Sequence, residues 1–67
     1  MFLIQKTVAG SRYWANIRYE SGWPSEWSWE GLQDNATILE SIAKAQEAQF
    51  YINYVEKYDI EIVELIS

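Results

Sequence analysis

Carboxylates are the side chains in this sequence with the clearest capacity for chemistry, and they form two short groups. Glu26 and Glu30 flank a pair of tryptophans, and Asp59, Glu61 and Glu64 alternate with apolar residues. Two carboxylates can perform general acid and base catalysis when one of them is desolvated and its pKa is raised. The same spacing also suits the solvated face of a β-strand. We favour that interpretation, because a chain of 67 residues has little room for a cleft.

The composition excludes many other kinds of reaction. There is no cysteine and no histidine, so the chain has no thiolate nucleophile, no serine–histidine pair and no disulfide, and it lacks the usual nitrogen and sulfur ligands of zinc. The three glycines stand singly, which excludes a glycine-rich phosphate cradle, and too few oxygen ligands surround Gly31 for a calcium loop. We therefore expect a protein that is not an enzyme and that uses no metal and no cofactor.

The charged residues are unevenly distributed along the chain. Residues 1–19 contain Lys6, Arg12 and Arg18 and no acid, a local charge of +3, whereas the other 48 residues contain ten acids and two lysines, a charge of −8. An acidic surface repels phosphates, which argues against direct binding of duplex DNA. Two interpretations stay open: the acids only keep the protein soluble, or they attract a basic protein that itself binds nucleic acid.

The elements that must position these side chains begin with a predicted β-hairpin. Residues 2–8 and 12–20 are rich in β-branched and aromatic side chains, and Ala9-Gly10-Ser11 between them has a glycine where positive φ costs little. After a predicted turn over residues 21–25, residues 26–30 form a short third strand. Alternation predicts that one side of the third strand carries Trp27 and Trp29 and that the core face of the second carries Tyr13, Ala15, Ile17 and Tyr19.

Two starting points compete for the predicted helix. Thr37 and Glu40 match a capping box, whereas Ser41 is the N-cap if residues 36–39 form a short extended segment. We favour Ser41, because residues 42–57 contain no glycine or proline and several good helix formers. Residues 60–66 then form a last strand, whose alternation slips near its end.

This order of elements, β-β-β-α-β, predicts an α+β fold. We expect one domain over residues 1–67, with a small antiparallel sheet and one helix packed on one of its faces. The other face of the sheet then has no cover, and exposed aromatic side chains beside arginine are typical of interaction surfaces. The predicted partner-binding residues are Arg12, Trp14, Arg18, Trp23, Glu26 and Glu30.

The predicted helix has two apolar stripes. A broad stripe suited to lying across a sheet consists of Ile42, Ala45, Ala48, Ile52 and Val55, with Gln49 among them. The second stripe is either covered within the monomer, by strand ends or by the 31–39 loop, or is a dimer or partner interface with aromatic anchors. The residues predicted for this second interface are Ala43, Glu47, Phe50 and Tyr54.

Aromatic stacking is the one binding chemistry that the sequence supplies directly. Trp14 lies between Arg12 and Asn16, and three further tryptophans follow closely; such platforms can hold unstacked bases. Proteins that bind single strands also need a basic groove, and basic residues outnumber acids here only in residues 1–19. An alternative function is therefore a homo-oligomeric module that binds a small nucleotide or single-stranded nucleic acid.

The first residues, Met1 to Lys6, have neither the basic region nor the long apolar run of a signal peptide or membrane span. The expectation from this segment is a cytoplasmic protein without membrane contact.

Several segments together resemble small bacteriophage accessory proteins: Trp27-Ser28-Trp29, residues 34–41 leading into an alanine-rich helix, and the closing residues 59–64. Size and strand–helix order are similar to those of some phage-encoded anti-CRISPR inhibitors. Two departures from that layout are Leu39, where an aromatic residue is frequent, and the aromatic-rich helix end. The resemblance implies a non-enzymatic inhibitor that binds a host defence protein or a protein–nucleic acid complex in the bacterial cytoplasm. A structural accessory protein of a phage is a further option.

Overall fold

The computed structural model describes residues 1–57 and 59–65. Its elements are β1 (Phe2–Val8), β2 (Ser11–Glu20), β3 (Trp23–Glu30), a 3-10 turn (Gln33–Asn35), α1 (Ile42–Glu56) and β4 (Ile60–Glu64). The four strands form one antiparallel sheet in the order β3-β2-β1-β4, and α1 packs on one face of it. The predicted α+β fold is confirmed.

Two tight turns connect the first three strands. Ala9 and Gly10 have φ values of 52° and 83°, and Ser21 and Gly22 have the same values. Positive φ at two successive residues gives the backbone twist that a two-residue hairpin needs. The predicted turn over residues 21–25 was too long, because β3 begins at Trp23 and includes the proline that follows it.

The segment of residues 36–39 lies between β1 and β2, which pair only at one end. The amide and carbonyl of Phe2 exchange hydrogen bonds of 2.8 Å with Leu39, and the hydroxyl of Thr37 accepts from the Ile17 amide at 2.7 Å. These contacts fill the space where the two strands diverge. The prediction that this segment is extended is confirmed.

Helix α1 begins where the favoured N-cap predicts. The Ser41 hydroxyl accepts a hydrogen bond of 3.2 Å from the Lys44 amide. At the other end, Lys57 adopts the left-handed conformation and its amide donates to the Asn53 carbonyl at 2.8 Å. The helix is therefore fixed by a cap at both ends.

The main core lies between α1 and one face of the sheet. Ala45 and Ala48 are fully buried, and their small side chains let the helix approach the strands closely. The buried stripe is narrower than predicted, because Ile42 and Val55 lie at its margins and are 47% and 54% exposed. The buried core residues are Ile4, Ala15, Ile17, Leu39, Ala45, Ala48, Ile52 and Ile60.

The middle of the opposite face of the sheet is more buried than the sequence predicted. Leu3 and Gln5 alternate with the core residue Ile4 and so lie on that face, yet they are only 1% and 8% exposed. Gln5 stands between Trp14 on β2 and Glu61 on β4, and its amide group donates to the Glu61 carboxylate at 3.5 Å. The middle of this face is therefore closed to solvent.

Candidate binding surface

The most exposed aromatic side chains among the described residues lie on the outer side of α1. Phe50 is 76% exposed and Tyr54 is 75% exposed. They are four residues apart, so their rings are neighbours on the helix surface. At 3.6 residues per turn they lie on the side opposite the buried Ala48 and Ile52. We call Ala43, Glu47, Phe50 and Tyr54, all exposed, the outer helix face.

This exposure argues against one of the two interpretations of the second apolar stripe, cover within the monomer. Neither the strand ends nor the 31–39 loop covers Phe50 or Tyr54 within the part of the chain that the structure describes. An enclosed aromatic side chain buries about 150–250 Å², so the two rings offer a large apolar area for a domain of this size. The outer helix face is therefore available for contact with another molecule.

A shallow groove of about 440 Å³ separates the outer helix face from β4. Gln49 crosses the inner end of this groove, where its side-chain amide donates to the Ile60 carbonyl at 2.6 Å. The groove thus joins the aromatic residues of the helix to the edge of the sheet. Its lining residues are Gln46, Gln49, Phe50, Asn53, Asp59 and Ile60.

A partly buried carboxylate at the end of α1 joins the helix to β3. The indole N–H groups of Trp27 and Trp29 both donate to Glu56, and the Trp29 nitrogen lies 2.8 Å and 3.1 Å from the two carboxylate oxygens. The Lys6 ammonium is 3.4 Å from the same carboxylate and 4.2 Å from the centroid of the Trp29 ring. Glu56 is the last helical residue, where the helix dipole disfavours negative charge. These three donors offset that cost and fix the helix end.

Two sequence signals could have revealed this cluster. Lys6 continues the alternation of Phe2 and Ile4, which places it on the core face of β1, and Glu56 follows Ile52 by four residues on the buried stripe. A charge on a buried face requires a partner of opposite sign. The side chains of Lys6 and Glu56 are only 12% and 20% exposed, so the role of the cluster is to position the helix and the two indoles.

The residues predicted on the opposite sheet face do not form one cluster. Arg12, Arg18 and Glu26 are exposed. The Arg18 guanidinium lies 3.9 Å from the Glu26 carboxylate, and about three-quarters of each side chain is in solvent. An exposed pair of this kind contributes little to stability, and its charges offset each other. The positive charge on this face is therefore partly neutralised locally.

Two of the four tryptophans predicted as a stacking platform, Trp14 and Trp23, lie at different ends of this face. Trp14 is half-buried and pairs with the half-buried Glu30, whereas Trp23 is 58% exposed and pairs with Glu20. Trp14 and Glu20, which lies opposite Trp23, are six positions apart along β2, about 20 Å of strand. The indole N–H of Trp14 is buried and has no hydrogen-bond partner among the described residues. The two rings therefore cannot stack on one base.

Tyr19 lies on the core face of β2 and is coupled to the outer helix face. Its hydroxyl is buried without a hydrogen-bond partner in the described part of the chain. Burial raises the pKa of this hydroxyl above its ordinary value of 10.0, and the negative charge of Glu47 raises the pKa further. The Lys44 ammonium lies 5.5 Å from the ring centroid. Tyr19 is therefore neutral at pH 7.

Comparison with protein-family models, curated proteins and solved structures found no significant match to this chain. Within residues 1–57 and 59–65, no three acidic side chains are grouped in a way that could hold a metal ion. None of the helices in those ranges combines the length and the apolar character of a membrane span. Functional inference therefore starts from the surface of the domain.

Proposed function

We propose that this protein is a non-enzymatic inhibitor that acts by binding another protein, and that the outer helix face is its main contact surface. The exposure of Phe50 and Tyr54 carries the proposal. Aromatic side chains dominate the binding energy of protein interfaces, and adjacent anchors on one helix fit an apolar groove of a partner. The outer helix face presents such a pair.

The helix is well fixed before any partner binds. Ser41 caps its first turn, and Glu56 ties its last residue to β1 and β3. A surface that is already ordered loses less conformational entropy on association. Phe50 and Tyr54 therefore stand on a rigid support.

The acidic charge of the surface around the outer helix face favours a basic partner protein. The net charge of residues 20–67 is −8, and exposed acids lie beside the aromatic pair, with Glu47 on the outer helix face and Asp59 in the adjoining groove. Complementary charge speeds association and selects the partner. A basic nucleic-acid-binding site of a host defence complex matches this surface, and the resemblance to phage accessory proteins points the same way. In this proposal the bound inhibitor competes with nucleic acid for that site.

Nucleotide binding, the alternative function, has less support. Arg18 is paired with Glu26, the Lys6 ammonium contacts Glu56, and Trp14 is half-buried. A single-strand binder combines stacked aromatics with a continuous basic groove. Titration of tryptophan fluorescence with mononucleotides and oligonucleotides tests this alternative, for which quenching at low ligand concentration is the expected signal.

Co-expression with a panel of CRISPR effector complexes tests the proposed function. The inhibitor should co-purify with one of them and lower its affinity for target DNA. Phe50→Glu should weaken the complex by at least about 30-fold, since it removes a central anchor. Leu32→Glu, at an exposed apolar residue outside both predicted interfaces, serves as the matched control and should change affinity less than about threefold. Failure of the wild type to bind any complex, or equal binding by Phe50→Glu, would overturn the proposal.

A further inference from the structure

Strand β4 is an edge of the sheet with a second row of backbone groups that face away from β1. Among the described residues, β1 is the one strand that pairs with it. An unpaired strand edge is a ready template for another extended chain. Only the backbone groups that point away from β1 can bind such a chain.

The register fixes the direction of each backbone group in β4. The Leu65 amide donates to the Met1 carbonyl at 2.7 Å, and the two strands are antiparallel, with Phe2 opposite Glu64 and Ile4 opposite Ile62. In such a ladder the residues that bond to the neighbouring strand alternate with residues whose groups point away from it. The amides and carbonyls of Ile62 and Glu64 therefore point outward.

The protection of these outward groups consists mainly of charge. Natural edge strands are often protected by a proline, a bulge or charged side chains. β4 pairs with β1 without a register shift, and its sequence, Ile-Glu-Ile-Val-Glu, has no proline and two glutamates, which repel an acidic strand and attract a basic one. Gln49 covers the Ile60 carbonyl, which leaves the groups of Ile62 and Glu64 available for hydrogen bonds to an incoming strand.

We propose that β4 binds an extended basic segment of the partner protein as a fifth strand. The inference rests on the proposed function and adds the mode of contact. One side of the added strand would lie beside the groove, where the Phe50 ring can contact an apolar side chain and the amides of Gln46 and Asn53 can hydrogen bond to polar ones. Its other side would lie beside the exposed Glu61, which suits lysine or arginine.

Charge also decides between this partner and a second copy of the chain. Asp59, Glu61 and Glu64 are all exposed at or next to β4. Pairing two copies through this edge would bring six carboxylates together, whereas a basic segment places positive charge beside Glu61. The favoured occupant is therefore a strand in which basic and apolar residues alternate.

A synthetic peptide of nine alternating lysine and valine residues, with blocked ends, tests the proposal by calorimetric titration at low ionic strength. The first control has the same sequence with N-methyl groups on alternate amides, which keeps the charge and removes the donors on one edge. The second control replaces lysine by glutamate. The parent peptide should bind at least about tenfold more tightly than either control. Equal binding of the parent and N-methylated peptides would overturn the proposal, because charge alone would then explain the affinity.

Two substitutions of Glu64 separate the contribution of the backbone hydrogen bond to peptide affinity from the contribution of the side-chain charge. Glu64→Pro removes an outward amide, a change that an edge strand tolerates, and Glu64→Gln removes the charge alone. Peptide affinity should fall at least about tenfold in Glu64→Pro and less than about threefold in Glu64→Gln. Equal losses in the two variants would overturn the proposal. Circular dichroism checks the fold of each, and if Glu64→Pro is unfolded, the comparison of methylated and parent peptides decides alone.

The co-purification assay distinguishes this inference from the proposed function. If a defence complex no longer co-purifies with Phe50→Glu but co-purifies with Glu64→Pro as well as with the wild type, the fifth-strand proposal is overturned and the inhibitor proposal is supported. Wild-type protein that binds the peptide but none of the complexes would support the fifth strand and overturn the inhibitor.

Discussion

β3 and β4 are the two edge strands of one sheet, and the chain treats them differently. β3 contains Pro24, which has no amide hydrogen, and lies next to an irregularity in the register at Arg18 and Tyr19. Its two core-facing tryptophans are tied to the helix through Glu56. β4 has no proline, and Gln49 is the helix side chain that hydrogen bonds to its backbone.

The difference indicates which side of the domain is open to contact. A free edge carries a risk of aggregation, and most proteins protect it. Here the exposed Phe50 and the groove reach Ile60 at the start of β4, and the outward groups of Ile62 and Glu64 follow along the same edge. The β3 edge, which we call the β3 side, is tied to the helix through Glu56. The edge of β4 with the adjoining groove, which we call the β4 side, has the features of a binding surface.

Removing the carboxylate that ties β3 to the helix should have the largest effect on stability. Glu56→Ala leaves two indole N–H groups without their acceptor and removes the ion pair with Lys6, so we expect a loss of about 3 kcal/mol in urea unfolding. Glu56→Gln keeps one acceptor oxygen and should lose less. Hydrogen exchange should quicken in β3 and stay unchanged in β4. A loss below about 1 kcal/mol for Glu56→Ala would show that the cluster does not hold the β3 side.

Removing the side chain that covers the β4 backbone should have a smaller effect. Gln49→Leu leaves the Ile60 carbonyl without its donor and should cost about 1 kcal/mol. Gln46→Leu, an exposed position one turn earlier, is the matched control and should stay within about 0.5 kcal/mol of the wild type. Equal free energies of unfolding for the two variants would mean that the hydrogen bond from Gln49 to Ile60 does not stabilise the fold.

Titration of Tyr19 tests the coupling between the β3 side and the outer helix face. Its pKa is raised first by burial and then by Glu47, so Glu47→Gln should lower the pKa but leave it above 10.0. A raised pKa means that folding favours the neutral phenol. That stabilising contribution is present below pH 10 and is lost as the pH rises through the pKa of the folded state. NMR of ¹³C-labelled tyrosine measures the Tyr19 pKa in the wild type and in Glu47→Gln. An unchanged pKa in the variant would contradict the electrostatic effect of Glu47 on Tyr19.

The smallest expected change in stability belongs to the outer helix face. Phe50→Glu should alter the free energy of unfolding by less than about 0.5 kcal/mol, because the ring is 76% exposed. The sequence also predicts that this face can hold a second copy. Light scattering should then show self-association of the wild type at high concentration and a monomer for Phe50→Glu. A monomeric wild type would end the dimer prediction and leave the protein-partner proposal in place.

Local chemistry predicted much of the fold. Glycines marked both hairpins, Ser41 marked the helix start, and alternation placed Ala15 and Ile17 in the core. Helical spacing also separated Phe50 from the buried stripe. These features depend on neighbours within one element, so the sequence alone is enough to predict them.

Contacts between distant elements could not be predicted in the same way. The Glu56 cluster joins positions up to 50 residues apart, and the segment of residues 36–39 fills a gap that exists only because β1 and β2 diverge. The outward groups of Ile62 and Glu64 follow from the register between β1 and β4, which no local pattern fixes. The sequence predicted the outer helix face as a second interface but not the edge of β4, whose position beside that face required the tertiary structure.

If the β4 edge binds a strand and the β3 edge does not, solvent exchange of individual backbone amides should change at one edge alone. NMR of the labelled protein, alone and with the lysine–valine peptide, follows both edges at once. We predict that exchange slows at least about tenfold for the amides of Ile62 and Glu64, the reduction expected for an amide that gains a hydrogen bond of about 1.4 kcal/mol. We also predict no change across Trp23–Glu30. Slower exchange across β3, with none at Ile62 and Glu64, would contradict the account.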